Sequence, residues 1–148
     1  MTVCTLFAFF LDFYRESRNL YLRIVVYVGF VGMSVYVTSV ERVREYDVDV
    51  EGAYKVRVKY LLHKGVGAKR LQLRLFTVDV GGHTPLEKHA HEHEVFILRG
   101  RALLRGGEQE VKLKPGNVIF IPSFEEHQFM NVGDEPVQFL CTKETTGE

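Results

Sequence analysis

The chain has 148 residues, one domain's length with room for a single sizeable core. Lys and Arg number 19 and Asp and Glu 19, so the net charge is zero; with no long basic run, nucleic acid is not expected as a partner. Charged residues at 26% and hydrophobic residues at 46% argue against disorder, and two cysteines, Cys4 and Cys141, cannot build a disulfide framework, so a cytoplasmic location is expected.

The first forty residues differ from the rest. Residues 3–11 are apolar, and residues 24–40 hold no charge at all, which is at the lower edge of a bilayer span. That second stretch is rich in Val and Tyr and contains Gly29, Gly32, Ser34, Thr38 and Ser39, a composition nearer to a strand than to a membrane helix. Asp12, Arg15, Glu16, Arg18 and Arg23 separate the two runs, so a signal-peptide layout is missing. Three readings stay open: a strand packed on the domain, a membrane anchor, or a non-native upstream extension with Met33 as the true start. A membrane partner is not the expected outcome. Helix is expected only at residues 6–18 and 39–45.

From Tyr54 onward the pattern is that of strands. Residues 54–60 alternate polar and apolar, and Leu71, Leu73 and Leu75 alternate with Gln72, Arg74 and Phe76. Residues 95–98 and 101–105 flank Gly100, and Gly106-Gly107 forms a hairpin turn. Residues 110–114 stop at Pro115-Gly116, residues 118–121 stop at Pro122, and residues 137–141 form the last strand. Short strands at even spacing, punctuated by Gly and Pro, predict an all-β sandwich or barrel. The expected division is an N-terminal extension over 1–45 and a barrel over 46–148. Exposed sheet edges need covering, so a homodimer is expected.

The chemistry concentrates in residues 81–100, which hold His83, His89, His91 and His93 with Glu87, Glu92 and Glu94. His127 follows in the stretch 122–131. Imidazole and carboxylate together suit one divalent transition metal, Mn, Fe, Ni, Zn or Cu. On a strand, Glu87, His89, His91 and His93 would share a face, and His127 would have to arrive from another strand. The competing reading is a solvated face of histidines. His63 and His83 read as surface or turn residues. Phe96, Phe120, Phe124 and Phe129 read as barrel packing. Lys55, Arg57 and Lys59 read as a solvated face or the rim of an interface. Cys141, in phase with Val137 and Phe139, reads either as a small buried hydrophobe or as a redox-sensitive thiol near the metal.

The spacings resemble a known family. Gly81, five residues, Glu87, one, His89, three, His93, six, Gly100 matches the first motif of the cupins without a gap. Gly116, five, Pro122, one, Phe124, two, His127, three, Asn131 matches the second, with Phe124 where the family has glycine. The chain from about Tyr54 to Lys143 therefore looks like a small single-domain cupin of the conserved-barrel type. The resemblance implies a double-stranded β-helix (jelly-roll) barrel and a metal held by Glu87, His89, His93 and His127. In the branch most resembled the first position is His rather than Glu, so His91 stands as an alternative ligand to Glu87. The resemblance further implies an oxygenase-like enzyme acting on a small chelating organic substrate, with Glu87 as a possible catalytic base. The alternatives are a metal-dependent isomerase or lyase, and a non-catalytic module that binds metal or a small ligand.

Overall fold

The computed structural model describes residues 8–16, 19–27 and 35–145. The chain divides into two compact units, residues 1–36 and 37–148.

In the first unit, β1 (Ala8–Glu16) and β2 (Asn19–Tyr27) pair antiparallel from Ala8↔Tyr27 to Glu16↔Asn19. The helix expected over 6–18 is thus a strand across its described part. Phe9, Phe10, Phe13 and Tyr14 on one side and Ile24, Val25 and Val26 on the other are aromatic and β-branched residues, which favour a pleated pairing over a helical turn. Of the stretch read as a possible anchor, residues 24–27 belong to β2, whereas 28–34, with Met33, lie outside the described residues. Among the described residues no helix is long and apolar enough to cross a membrane.

The second unit opens with a single 3₁₀ turn, Val40–Arg42, in place of the helix expected over 39–45. The chain returns to extended backbone at Val43. β3 (Glu45–Asp47) pairs with β4 (Tyr54–Leu62), and β4 pairs with the long β5 (Leu71–His83). β6 (His93–Arg99), β7 (Ala102–Gly106), β8 (Gln109–Leu113), β9 (Val118–Ile121), β10 (His127–Asn131) and β11 (Val137–Glu144) complete the unit. They join in the order β8-β7-β10-β5-β11-β6-β9, with β3 and β4 on the side of β5. β5 is the strand common to both halves: residues 71–78 pair with β11, and His83 at its far end pairs with Met130 of β10. All the pairings are antiparallel, and the curled sheet encloses one core, as expected of a double-stranded β-helix.

Alternation builds that core. On β6 the buried positions are His93, Val95 and Ile97; on β10 they are His127, Phe129 and Asn131; on β11 they are Val137, Phe139 and Cys141. The same period of two that buries Val95 and Phe129 carries His93 and His127 inward. The Phe139 ring stacks between Phe76, at 5.3 Å, and Phe129, at 4.7 Å. Each such ring adds about 0.5–1.5 kcal/mol beyond its buried area. Phe96, Phe120 and Phe124, read from sequence as barrel packing, are exposed; Phe76 and Phe139 do that work instead. Phe96 and Phe120 sit on the outward positions of β6 and β9, so alternation itself excludes them from the interior.

Two turns explain the motif glycines. Gly100 has φ +77, and a Cβ there would lie 2.7 Å from the Pro136 carbonyl oxygen, so only glycine fits. Phe124, in the place of the family's glycine, keeps the left-handed conformation with φ +62. Its N–H donates to the His89 carbonyl at 2.7 Å, which holds the turn in that conformation despite the side chain. The cost is about 1–2 kcal/mol.

Candidate metal centre

His93 opens β6 and His127 opens β10, and both are buried at 4% and 3% exposure. Glu87 and His89 come from residues 84–92, which are not a strand. The expected alternation through this stretch is therefore absent, and backbone stitches place its side chains instead. Thr84 and Phe129 exchange Thr84 N–H to Phe129 O and Phe129 N–H to Thr84 Oγ1, each at 2.9 Å. Glu87 and His127 form an isolated antiparallel bridge, with N···O distances of 3.1 and 2.9 Å. Pro85 removes one donor and stiffens the run between these stitches.

The result is a cluster in which one donor atom from each of Glu87, His89, His93 and His127 lies within 4.8 Å of every other. Glu87 Oε1 is 3.9 Å from His89 Nε2 and 3.8 Å from His127 Nε2. His93 Nε2 faces His89 Nε2 at 3.0 Å. The far nitrogen of every ring meets a backbone carbonyl at 2.9 Å: His89 Nδ1 that of His91, His93 Nδ1 that of Thr142, His127 Nδ1 that of Glu125. A carbonyl only accepts, so each Nδ1 carries the ring proton and each Nε2 presents a lone pair. The partners of the rings are thus main-chain groups, which no side-chain reading of the sequence reveals. Nearby, Glu94 accepts from the Thr142 hydroxyl and Gln128 donates to the Thr84 carbonyl at 2.8 Å.

The residues present fit a metal ion. Two lone pairs facing each other at 3.0 Å with no proton between them repel, and a cation resolves the conflict. Burial holds the His93 pKa down to about 3, and Arg74, His89 and His91 lower it further against the opposing Thr142 hydrogen bond. The ring is therefore neutral, as a ligand must be, across the physiological range.

His91 lies outside the convergent group. Its ring stacks on His89 at 3.5 Å and 8°, bracing that ring from the side. Burial, followed by the neighbouring His89, lowers its pKa to about 4. His83 is half-buried, with its Nδ1 near the Thr84 carbonyl and the Gln128 amide, and His63 Nδ1 accepts from the Gly65 N–H; neither joins the cluster. Asn131 ties the β10–β11 turn by donating to the carbonyls of Val78 and Glu135 and accepting from the Gly133 N–H.

One residue on this site escaped the sequence. Arg74 faces the barrel interior and, with Cys141, lines the cavity that Glu87, His93 and His127 also line. Its alternation with the leucines suggested a polar outer face; the clue was Phe76, which shares its parity and packs on Phe139. Cys141 is buried, and burial pushes its thiol pKa up against the lowering effect of Arg74.

Comparison with known proteins agrees with this geometry. The family model described as "Cupin domain" matches residues 74–143. A 70-residue stretch is 41% identical to the 1-methylthio-D-xylulose 5-phosphate methylsulfurylase of Rhodospirillum rubrum, covering 47% of this chain and 45% of that protein. The match thus spans under half of that relative's length. The structure resembles a polyketide cyclase from Streptomyces resistomycificus with TM-score 0.71 and 28% identity, over 75% of this chain and 80% of that one. It also resembles a cupin-2 domain from Rhodospirillum rubrum with TM-score 0.65 and 30% identity, over 80% of each chain. With His93 and His127 of the two motifs buried inside such a barrel, and with this likeness over most of its length, the chain belongs to the cupin family.

Proposed function

We propose that this chain is a metal-dependent enzyme acting on a small organic substrate that chelates the ion. The observation that carries the proposal is the convergence of Glu87 with the unprotonated Nε2 faces of His89, His93 and His127. Three imidazoles and a carboxylate suit a divalent ion of Mn, Fe, Ni, Zn or Cu. When bound, such an ion supplies Lewis-acid polarisation of a substrate oxygen. The three rings stay fixed because their carbonyl partners hold them. Glu87 is the most exposed of the four, with 46% of its side chain accessible, and is the donor free to swing toward substrate and accept its proton. Phe76, Phe129 and Phe139 give the cavity an apolar wall beside these groups.

Two reaction types fit this arrangement. The donor set fits an oxygenase-like reaction, because four protein ligands leave one or two positions on a five- or six-coordinate ion for oxygen or substrate. Polarisation of a chelated substrate beside Glu87 as a base fits equally a redox-neutral reaction of the isomerase or lyase kind. Turnover of a panel of small organic acids and diketones, measured with and without oxygen, separates them. Oxygen consumption matched to product supports the first, and equal rates under both conditions support the second. Tight binding without turnover makes the chain a binding module and ends the enzyme reading.

The metal assignment is tested by elemental analysis of purified Glu87→Ala, His89→Ala and His91→Ala. Loss of metal in the first two and retention in the third is expected. Retention in Glu87→Ala with loss in His91→Ala reverses the choice of ligand. A homodimer is proposed as well. It is supported by the edge position of β9 and by its Val118 and Phe120, which are 75% and 59% exposed. Sedimentation of wild type against Phe120→Lys reports it.

A further inference from the structure

The barrel has a second concave region that shares no residue with the cavity of the metal centre. This basin has a volume of about 580 Å³, within the range of small-molecule sites. The buried Ala102 and Leu113 form its floor, with the exposed Val132 beside them, and Arg101, Lys112, Lys114 and Asn117 complete its lining. Its place in the fold follows from one strand pair. Between β10 and β7 the register runs from His127↔Gly106 to Asn131↔Ala102. His127 of the donor cluster is at one end of that ladder, and Ala102 of the basin is at the other, about 13 Å away at the rise of a strand.

Separate pieces of fixed backbone bring the cations to it. Arg101 lies between β6 and β7, and its carbonyl accepts the Val132 N–H at 3.3 Å. Lys112 is on β8, opposite Leu103 of β7. Lys114 opens the turn Lys114-Pro115-Gly116-Asn117, in which the Asn117 N–H donates to the Lys114 carbonyl at 3.1 Å and Gly116 has φ +89. Proline in the second place and a left-handed glycine in the third are the marks of a type II turn. The turn is tied to β6 as well, because the Gly116 N–H donates to the Ile97 carbonyl at 2.9 Å and the Ile97 N–H to the Asn117 carbonyl at 3.0 Å. Asn117 Oδ1 accepts the Lys114 N–H at 2.8 Å. A backbone N–H only donates, so the Asn117 amide spends its oxygen on the turn and keeps its NH₂ for another partner.

The charge gathered here is unbalanced. The lining holds three cations and no acid, although the chain as a whole is neutral. Among the described residues no carboxylate lies within 4.0 Å of Arg101, Lys112 or Lys114. Arg57, by contrast, is paired with Glu45 and Asp79, and Arg99 with Glu135. Three like charges around one basin repel one another and set up a positive potential that an anion relieves. A carboxylate brings one charge and two oxygens. A phosphate monoester brings nearly two charges and three terminal oxygens, which suits two ammonium groups, a guanidinium and an amide NH₂. Its organic part suits an apolar floor, which inorganic phosphate leaves unused.

We propose that this basin is a binding site for a small phosphate monoester, separate from the metal centre. The phosphoryl group meets Arg101, Lys112, Lys114 and the Asn117 amide, and the organic part lies on Ala102, Leu113 and Val132.

The test is titration calorimetry of the full chain with phenyl phosphate, set beside inorganic phosphate and phenol as the two halves of that probe. Saturable binding of phenyl phosphate at millimolar concentration or below is expected, tighter than that of either half. The double variant Lys112→Gln/Lys114→Gln is expected to weaken it by about 10-fold, the worth of two charge-assisted contacts after solvent screening. Arg101→Gln alone is expected to weaken it by about 3-fold. All three side chains are exposed, so an unchanged melting temperature is expected in these variants. His93→Ala is expected to bind phenyl phosphate as the wild type does. A wild type that ignores millimolar phenyl phosphate overturns the proposal, and so does equal affinity in the double variant. Loss of binding in His93→Ala would move the ligand to the metal centre and overturn it too. Inorganic phosphate bound as tightly as phenyl phosphate would leave an adventitious ion only. Co-sedimentation with phosphatidylcholine vesicles containing phosphatidate separates a lipid headgroup from a soluble ester: vesicle binding without phenyl phosphate binding gives the basin to a membrane surface and ends the small-ligand reading.

Discussion

The four donors form two pairs that the fold places by different means. His93 and His127 are the first residues of β6 and β10, inside the barrel, and each continues a buried row of core side chains. Glu87 and His89 lie on the non-strand segment 84–92, are more exposed, and are held by a few hydrogen bonds to β10 and to the turn before it. The first pair is fixed by packing, the second by main-chain stitches. Packing resists displacement because a shifted strand would move every side chain in its row. A stitched loop can yield locally, so the adjustable half of the site is the half that carries the carboxylate.

That contrast predicts a graded set of effects. The largest falls on the strand-held donors. His93→Ala and His127→Ala are expected to lower metal affinity by more than about 100-fold, beyond the effect of losing a ligand's supporting partner. Metal analysis after dialysis reads this, and a stoichiometric ion in either variant would remove that residue from the ligand set.

Next comes a cut in the stitching. Thr84→Val removes the hydroxyl that accepts the Phe129 N–H and leaves a buried donor unpaired. A loss of about 1–3 kcal/mol in urea unfolding is expected. Metal affinity should fall with it, through Glu87 and His89 rather than through the strands. Unchanged affinity would show that the loop donors need no such support.

The third effect is a pH dependence of the metal-free protein. The His93 pKa is about 3 when folded against an ordinary 6.5, and that of His91 is about 4. As pH falls through 6.5 the unfolded chain takes up these protons first, so stability present above 6.5 drains away toward the folded values. His93→Gln should flatten the fall of the unfolding midpoint between those limits. An equally steep fall in that variant would assign it to other groups.

The smallest effect concerns the turn that holds the His89 carbonyl. Phe124→Gly should relieve the left-handed strain at φ +62, offset in part by the greater freedom of an unfolded glycine. A net gain of up to about 1 kcal/mol is expected, seen as a small rise in melting temperature. A drop would mean that the exposed ring makes a contact worth more than the strain.

Most of the barrel was legible in the residues because its strands obey a local rule. Alternating burial marks 54–62, 93–99 and 137–144, and glycine or proline closes the turns between them. The strand expected at His127 has no legible extent in the sequence, since Gln128 and Asn131 interrupt its apolar pattern; Asn131 is there to tie a turn, not to fill the core. The aromatic residues were misplaced for a related reason. Phe96 and Phe120 are as apolar as Phe139, and only the register of β6 against β9 and β11 decides which of them face inward.

For the site, residue types and spacings were enough to single out Glu87, His89, His93 and His127, because a metal ion constrains the chemistry of its donors more tightly than their surroundings. Three things waited on the folded chain. The carbonyls that orient the rings belong to the backbone of His91, Glu125 and Thr142, and every residue has a carbonyl, so no side chain announces them. The stacking of His91 against His89 depends on the path of a loop that alternation does not describe. The inward turn of Arg74 depends on both faces of β5 being covered in part, which is a property of the closed sheet and not of any segment of it. Sequence could name the groups able to grip a cation, since that ability is intrinsic to each group; which nitrogen faces inward, and what charge shares the cavity, arise from contacts between strands distant along the chain.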